Sequence, residues 1–265
     1  MAEAAAKTSG LLAGYDTGEF YCELFGKRGL SHTKEIRNRL DALDIAGLKR
    51  RARDAESELY NLGITFTVYS KREAIDRILP FDVIPRVLSK QDWEVVDSGV
   101  RQRISALNHF LHDIYHDEKI LKDGVVPTDL VKGNANYRPE MCGVTIPHKT
   151  YVHICGTDIV RDDKGHFCGL EDTGRTPSGV SYVIENRHLM MRAFPDLANG
   201  IPVADVDEYG SRLVKTMRTV APKGVSDPTV VVMSPGLFNS AYFEHVFLAR
   251  EMGVPLVEGR DLVVE

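Results

Sequence analysis

The sequence predicts a mixed α/β protein with a helical N-terminal region, small mixed sheets and a C-terminal β-α-β unit. Three observations carry this. Apolar residues recur at helical spacing between charges over KEIRNRLDALDIAGLKRRARDAESELYNL, Lys34 to Leu62. Two apolar segments flank a turn sequence in YVHICGTDIVRDDKGHFCGLED, Tyr151 to Asp172, the pattern of an antiparallel hairpin. Finally, TVVVMSPG, NSAYFEHVFLAREMG and PLVEGRDLVV read strand, helix, strand. Parallel strands need a crossover of this kind, so parallel pairing is expected.

Taken in order, the opening MAEAAAKTSGLLAG has one lysine and no sustained apolar stretch, and reads as a loose head rather than a signal peptide. The region from Lys34 to Leu62 is expected to be helical, with Gly47 a candidate break and Gly63 the stop. ITFTVYS, Ile64 to Ser70, is rich in β-branched and aromatic residues and predicts a strand. ILPFDVIPRVL, Ile78 to Leu88, holds two prolines and predicts extended chain. Ser89 is placed to cap a long helix ending near Asp117, with Trp93, Val96, Val100, Ile104, Leu107, Leu111 and Ile114 as its apolar stripe. GNANYRPEMCG reads as a polar loop, and strand is expected from Tyr151. Asn239 or Ser240 should cap the last helix. The expected divisions are 1–62, a head and helical region; 63–228, a core portion with the hairpin; and 229–265, the β-α-β unit.

Composition narrows the function. The 265 residues are 43% hydrophobic and 27% charged with a net charge of −5, ordinary for a globular chain and without a basic tail or face. Nucleic acid is not the expected partner, and an acidic substrate would have to be held by local arginines or a metal. No apolar run approaches the roughly 18 residues of a membrane span. Cys22, Cys142, Cys155 and Cys168 show no metal-type spacing and read as reduced thiols of a cytoplasmic protein. His112 and His116, four apart, can reach one metal ion from one helix face. No HExxH motif or third ligand accompanies them, so a solvated or loop-contacting face is the preferred reading.

The hairpin is the chemically informative part. With Lys164 and Gly165 as a two-residue loop, Asp158 falls opposite Glu171; a three-residue loop would shift that pairing by one position. Like charges directly opposite on a sheet are destabilising. Two readings follow: either a hard cation, Mg²⁺ or Mn²⁺, sits between them, or one carboxylate faces solvent or pairs with Arg161 or Arg175. The continuation, GLEDTGRTPSGVSYVIENR, adds Arg175 within reach of the same ligand, suited to a phosphate or carboxylate. Thr176-Pro177-Ser178-Gly179 is a tight segment whose hydroxyls and N–H groups can face an anion, although such a segment is also a plain turn, and Ser181 joins it as a candidate for binding substrate or phosphate. Asn186 and Arg187 either line the same pocket or pair on a helix surface. Together these features point to a phosphoryl-transfer site.

LEDTGRTPSGVSYVIENR closely resembles the Leu-Glu-Asp-Asn-x-Arg-x-Pro-Ser-Gly-Val-Ser-Tyr signature of the circularly permuted ATP-grasp proteins, relatives of glutathionylspermidine synthetase that include many bacterial members. The likeness runs from about Gly63 to the last residue. It takes in GITFTVYS, ALNHFLHDIYHDEKILKDGVVP, YVHICGTDIVRD and VVVMSPGLFNSAYFEHVFLAREMGVPLVEGRDLVV. The resemblance implies an ATP-grasp-like fold that binds Mg·ATP and ligates a carboxylate to an amine through an acylphosphate. Carried over, Asp158 and Glu171 match the metal-binding acids, with Thr173 where the signature has Asn. Arg175, with Arg187, would act on the reacting groups, and Ser178-Gly179 would lie beside the phosphates and acyl substrate. Family members continue past the point where this chain ends, so an N-terminal portion is expected, with a sheet edge near Asp261 to Val264 open to self-association. A non-catalytic module of the same fold, binding a peptide, amine or protein, is the alternative.

Overall fold

The computed structural model describes residues 10–26, 33–69, 74–78, 80–174 and 176–264. The chain divides into two compact units, Leu88–Pro177 and the combination of Met1–Val87 with Ser178–Glu265.

In the discontinuous unit, helices α1 (Lys34–Asp41) and α2 (Ile45–Asn61) occupy the predicted helical region. The break falls at residues 42–44 rather than at Gly47. Asp44 takes extended backbone and its carboxylate accepts from Gly47 N, so a cap starts a new helix and Gly47 lies in its first turn. Strand β1 (Thr65–Tyr69) follows as expected, with Ser70 outside the described residues, and pairs antiparallel with β2 (Ala74–Ile78). The five residues of β2 include an acid and a base, so propensity alone does not predict it; pairing with β1 makes the strand. Residues 80–88 form no regular element, in keeping with their prolines.

The same unit holds α6 (Val180–Ala193), α7 (Pro195–Ala198), α8 (Tyr209–Thr219), β5 (Val232–Met233), α9 (Tyr242–Met252) and β6 (Leu256–Val257). Its two core clusters are Leu12, Ile36, Leu40 and Phe194, and Ala55, Leu59, Ile64 and Leu189. Leu189 and Phe194 are both wholly buried, so one segment, α6 and its C-terminal cap, enters both clusters. The helix that carries the second half of the sequence motif is thereby fixed in the core. Truncating a buried Leu of this kind typically costs about 2–5 kcal/mol.

The β-α-β reading holds: β5 and β6 pair in parallel, Val232 with Leu256 and Met233 with Val257, with α9 as the crossover. Three details differ. Each strand is two residues long. The residue capping α9 is Ala241, while Asn239 instead accepts from Ala241 N at 2.9 Å, forming a turn before the helix. Leu262 to Val264 follow a 3₁₀ turn, Gly259–Asp261, and are exposed outside any strand, so the sheet edge expected near Asp261 to Val264 is not formed there.

The continuous unit is built on α3 (Lys90–Ile114), followed by α4 (Lys119–Lys122), α5 (Thr128–Lys132), β3 (Gly156–Arg161) and β4 (Phe167–Thr173). Ser89 caps α3 in a reciprocal box with Asp92. The predicted apolar stripe is only partly covered: Ile114 is buried with Leu121 and Val131, but Trp93 at the other end is 57% exposed. Several contacts between α3 and the hairpin are polar, which leaves the N-terminal half of the stripe lightly packed. Strand begins at Gly156 and not at Tyr151, because the N–H groups of Tyr151 and Val152 donate to Asn108 Oδ1 of α3, at 2.6 and 2.9 Å. The rings of His112 and His116 lie 4.1 Å apart, and His112 Nδ1 is 3.4 Å from the Tyr151 hydroxyl, a loop-contacting arrangement. Among the described residues no group of three or more His, Cys, Asp or Glu is arranged to hold a metal ion, and no helix is long and apolar enough to cross a membrane. All four cysteines are free thiols.

Candidate functional site

The hairpin closes with Asp162 N donating to His166 O at 2.9 Å, so its loop is the three residues 163–165 rather than two. Asp162 organises that loop by accepting from the N–H groups of Lys164 and His166. The adjoining rungs are Arg161 with Phe167, Val160 with Cys168 and Ile159 with Gly169. A register shift follows, and Asp158 pairs with Glu171. Leu170 is the extra residue of this β-bulge and is 67% exposed. The longer turn moves the register by one residue and the bulge moves it back. The pairing of the two acids is therefore the expected one, reached by a different path.

Strand alternation sorts the acids by face. Gly156 pairs with Thr173 and Asp158 with Glu171, two residues apart on each strand, so Asp158, Glu171 and Thr173 share one face. All three are exposed. Asp172 points the other way, toward α3. Arg103 Nε lies 3.0 Å from Asp172 Oδ2, and the Thr157 hydroxyl donates to Asp172 Oδ1 at 2.9 Å. The Arg103 guanidinium holds the Asp172 carboxyl below the usual carboxylate range; burial opposes this and the Thr157 hydroxyl reinforces it. Arg161 is also on the α3 side, donating to Asp92 Oδ1 at 2.7 Å and stacking over Phe167. Burial works to raise the pKa of Asp92, but the hydrogen bonds from Arg161 and Ser89 outweigh it and hold the carboxyl low. Arg103 and Arg161 thus serve the inner carboxylates Asp172 and Asp92. Among the described residues, Asp158 and Glu171 have no ion-pair partner.

After Thr173 the chain folds back over the start of β3. A Cβ on Gly156 would lie 2.9 Å from Pro177 Cβ, so only glycine admits the Thr-Pro-Ser-Gly segment this close. Thr176 is exposed; Arg175 lies outside the described residues.

In the discontinuous unit, Ser178 is exposed and Gly179 precedes α6 with φ +100°, the left-handed region that favours glycine. Ser181 is wholly buried, and its hydroxyl donates to Glu244 Oε2 of α9 at 2.6 Å. Asn186 is half-buried, and Arg187 Nη1 donates to the Ala204 carbonyl at 2.9 Å. Burial pushes the Tyr182 phenol up to about 12, with the Glu244 charge adding, and its hydroxyl donates to Thr65 O. Sequence reasoning missed Arg103, Glu244 and Glu185. Glu185 is buried between Arg250, at 3.5 Å, and Arg192, at 4.0 Å. For Glu244 the available signal was a carboxylate three residues from Phe247 on a largely apolar helix.

A family profile described as a circularly permuted ATPgrasp matches residues 85–265, covering α3, the hairpin, the motif and the β-α-β unit. The chain belongs to this family. Among its relatives, a Synechocystis protein described as uncharacterised is 45% identical over 255 residues, 96% of this chain and 53% of that protein. A Mycobacterium tuberculosis protein, also described as uncharacterised, is 42% identical over 258 residues, 95% of this chain and 46% of its own length. A Frankia alni protein provisionally named a glutamate–cysteine ligase is 35% identical over 235 residues, 88% of this chain and 27% of that protein. The chain spans about half the length of the first two relatives.

Proposed function

We propose that this circularly permuted ATP-grasp protein serves an ATP- and Mg²⁺-dependent ligation of a carboxylate to an amine, with Asp158 and Glu171 holding the metal of Mg·ATP. One observation carries the reading: two carboxylates directly opposed on an exposed sheet face, with no ion-pair partner among the described residues. Such a pair costs stability unless a cation compensates it. With the Thr173 hydroxyl on the same face, the donor set is oxygen only, which suits Mg²⁺ or Mn²⁺. When bound, the metal supplies charge neutralisation at the phosphate oxygens.

The protein's own residues take the remaining roles in this proposal. Arg175 orients a phosphate or the acyl carboxylate through its planar fork of donors, with Arg187 as the second guanidinium. Thr176 and Ser178, both exposed, offer hydroxyls to an anion. Gly179, Ser181 and Asn186 shape the segment that presents them. In the reaction the substrate carboxylate attacks the terminal phosphorus of ATP, releasing ADP and forming an acylphosphate. The amine then attacks the acyl carbon, phosphate leaves with the C–O bonding pair, and the amine gives up a proton. The provisional name of the Frankia relative favours an amino-acid carboxylate such as that of glutamate, and the likeness to glutathionylspermidine synthetase favours a small peptide or polyamine as amine. A small-molecule site in the cytoplasm fits this chemistry.

Hydroxylamine tests the proposal because it intercepts acylphosphates as hydroxamates. Incubation with Mg·ATP, L-glutamate and hydroxylamine is expected to give hydroxamate and ADP in equal amounts, lost in Glu171→Gln. ADP release without hydroxamate would refute the ligase reading, and hydroxamate formed equally well by Glu171→Gln would refute the assignment of Glu171 to the metal.

A further inference from the structure

Helix α6 begins without a cap of its own. Gly179, at the capping position, has no side chain to accept from the first-turn N–H groups, and its φ of +100° turns the chain sharply into the helix. A carboxylate from another element does the capping. Glu244 Oε2, on α9, accepts from Gly179 N at 2.7 Å and from the Ser181 hydroxyl at 2.6 Å. Glu244 is only 6% exposed and Ser181 is fully buried, so both bonds lie away from water. Both bonds are short, and leaving either donor unsatisfied at a buried site is costly.

We infer that Glu244 is the positioning residue of the Ser178–Ser181 turn, a buried acceptor that fixes the motif's entry into α6. The N–H of the capping residue is met by the protein's own carboxylate. The N–H of Gly179 and the hydroxyl of Ser181 are spent on it, and the exposed hydroxyls of Ser178 and Thr176 are what the segment offers a substrate. The functional part of this inference rests on the ligase reading above; the positioning part does not.

The test separates the two. Exchange of the Gly179 amide, followed by NMR, is expected to quicken at least tenfold in Glu244→Ala relative to amides of the α2 and α6 core. It is expected to recover in Glu244→Gln, which keeps an acceptor oxygen. Should Glu244→Ala fail to fold, Glu244→Asp, which withdraws the carboxylate by one methylene, is expected to quicken Gly179 exchange at least threefold, and unchanged exchange there would equally overturn the positioning role. In parallel, Mg·ATP affinity is expected to fall at least tenfold in Glu244→Ala and to return to within threefold of wild type in Glu244→Gln. Unchanged Gly179 exchange in Glu244→Ala would overturn the positioning role. Quickened exchange with unchanged Mg·ATP affinity would overturn the link to substrate. Absence of Mg·ATP binding by the wild type would instead refute the ligase reading and, with it, that link, leaving amide exchange to decide the positioning role.

Discussion

Removing one of the two opposed carboxylates should make the protein more stable and a poorer metal binder at once. Directly opposed residues on paired strands hold their Cβ atoms about 5 Å apart. In the water-like surroundings of an exposed face, two unit charges at that spacing repel by about 0.8 kcal/mol. A screening length of about 8 Å at physiological ionic strength reduces this to roughly half. Glu171→Gln is therefore expected to raise stability by about 0.4–0.8 kcal/mol, or about 1–3 °C in unfolding midpoint for a protein of this size. The gain should vanish in 1 M NaCl, where screening acts over about 3 Å. Mg²⁺ should reverse the order: it stabilises whichever protein binds it, in proportion to RT ln(1 + [Mg²⁺]/Kd). Thermal melts of both proteins in low and high salt, with and without MgCl₂, read all of these effects. A less stable Glu171→Gln in low salt, or an equal response of both proteins to Mg²⁺, would refute the reasoning.

The neighbouring acid should behave oppositely. Asp172→Asn loses the charge that Arg103 pairs with, on the α3 side of the hairpin, so its melting temperature should fall while its response to MgCl₂ stays that of wild type. Acid should weaken the fold through the same inner carboxylates. Asp172 and Asp92 are held below their ordinary values, so the stability they contribute is present above about pH 4 and lost as pH falls below it. Urea midpoints between pH 5 and pH 3 should drop less steeply in Asp172→Asn than in wild type. Gly156→Ala forces a Cβ to within 2.9 Å of Pro177 Cβ, and overpacking of this kind costs about 1–3 kcal/mol. Its melt should shift down and its affinity for Mg·ATP should fall as the Thr-Pro-Ser-Gly segment is displaced.

Elements set by local chemistry were legible in the sequence. Ser89 and Asp92 announce the start of α3, and the crossover helix between two apolar segments announces β5–α9–β6. The opposed acids were legible as well, through alternation and a turn sequence, yet the loop is one residue longer than the turn sequence predicts. Asp162 has the side chain to bond two backbone N–H groups of a longer loop, a competition that a two-residue hairpin rule does not weigh. The compensating bulge at Leu170 has no residue signature, since its position depends on how the rest of β4 pairs. What lay beyond the sequence was long-range. Arg103 reaches Asp172 across 69 residues and Glu244 reaches Ser181 across 63, and no local propensity encodes either contact. Trp93 shows the converse: helical spacing places it correctly on a stripe but does not say how much of that stripe is covered.

The most direct test of the account is a calorimetric titration of Mg·ATP into the 265-residue protein and into Glu171→Gln. Saturable binding to the wild type, weakened at least about tenfold, or 1.4 kcal/mol, in the mutant, is the predicted result. Equal affinities in the two proteins would contradict the assignment of the opposed carboxylates as the metal site.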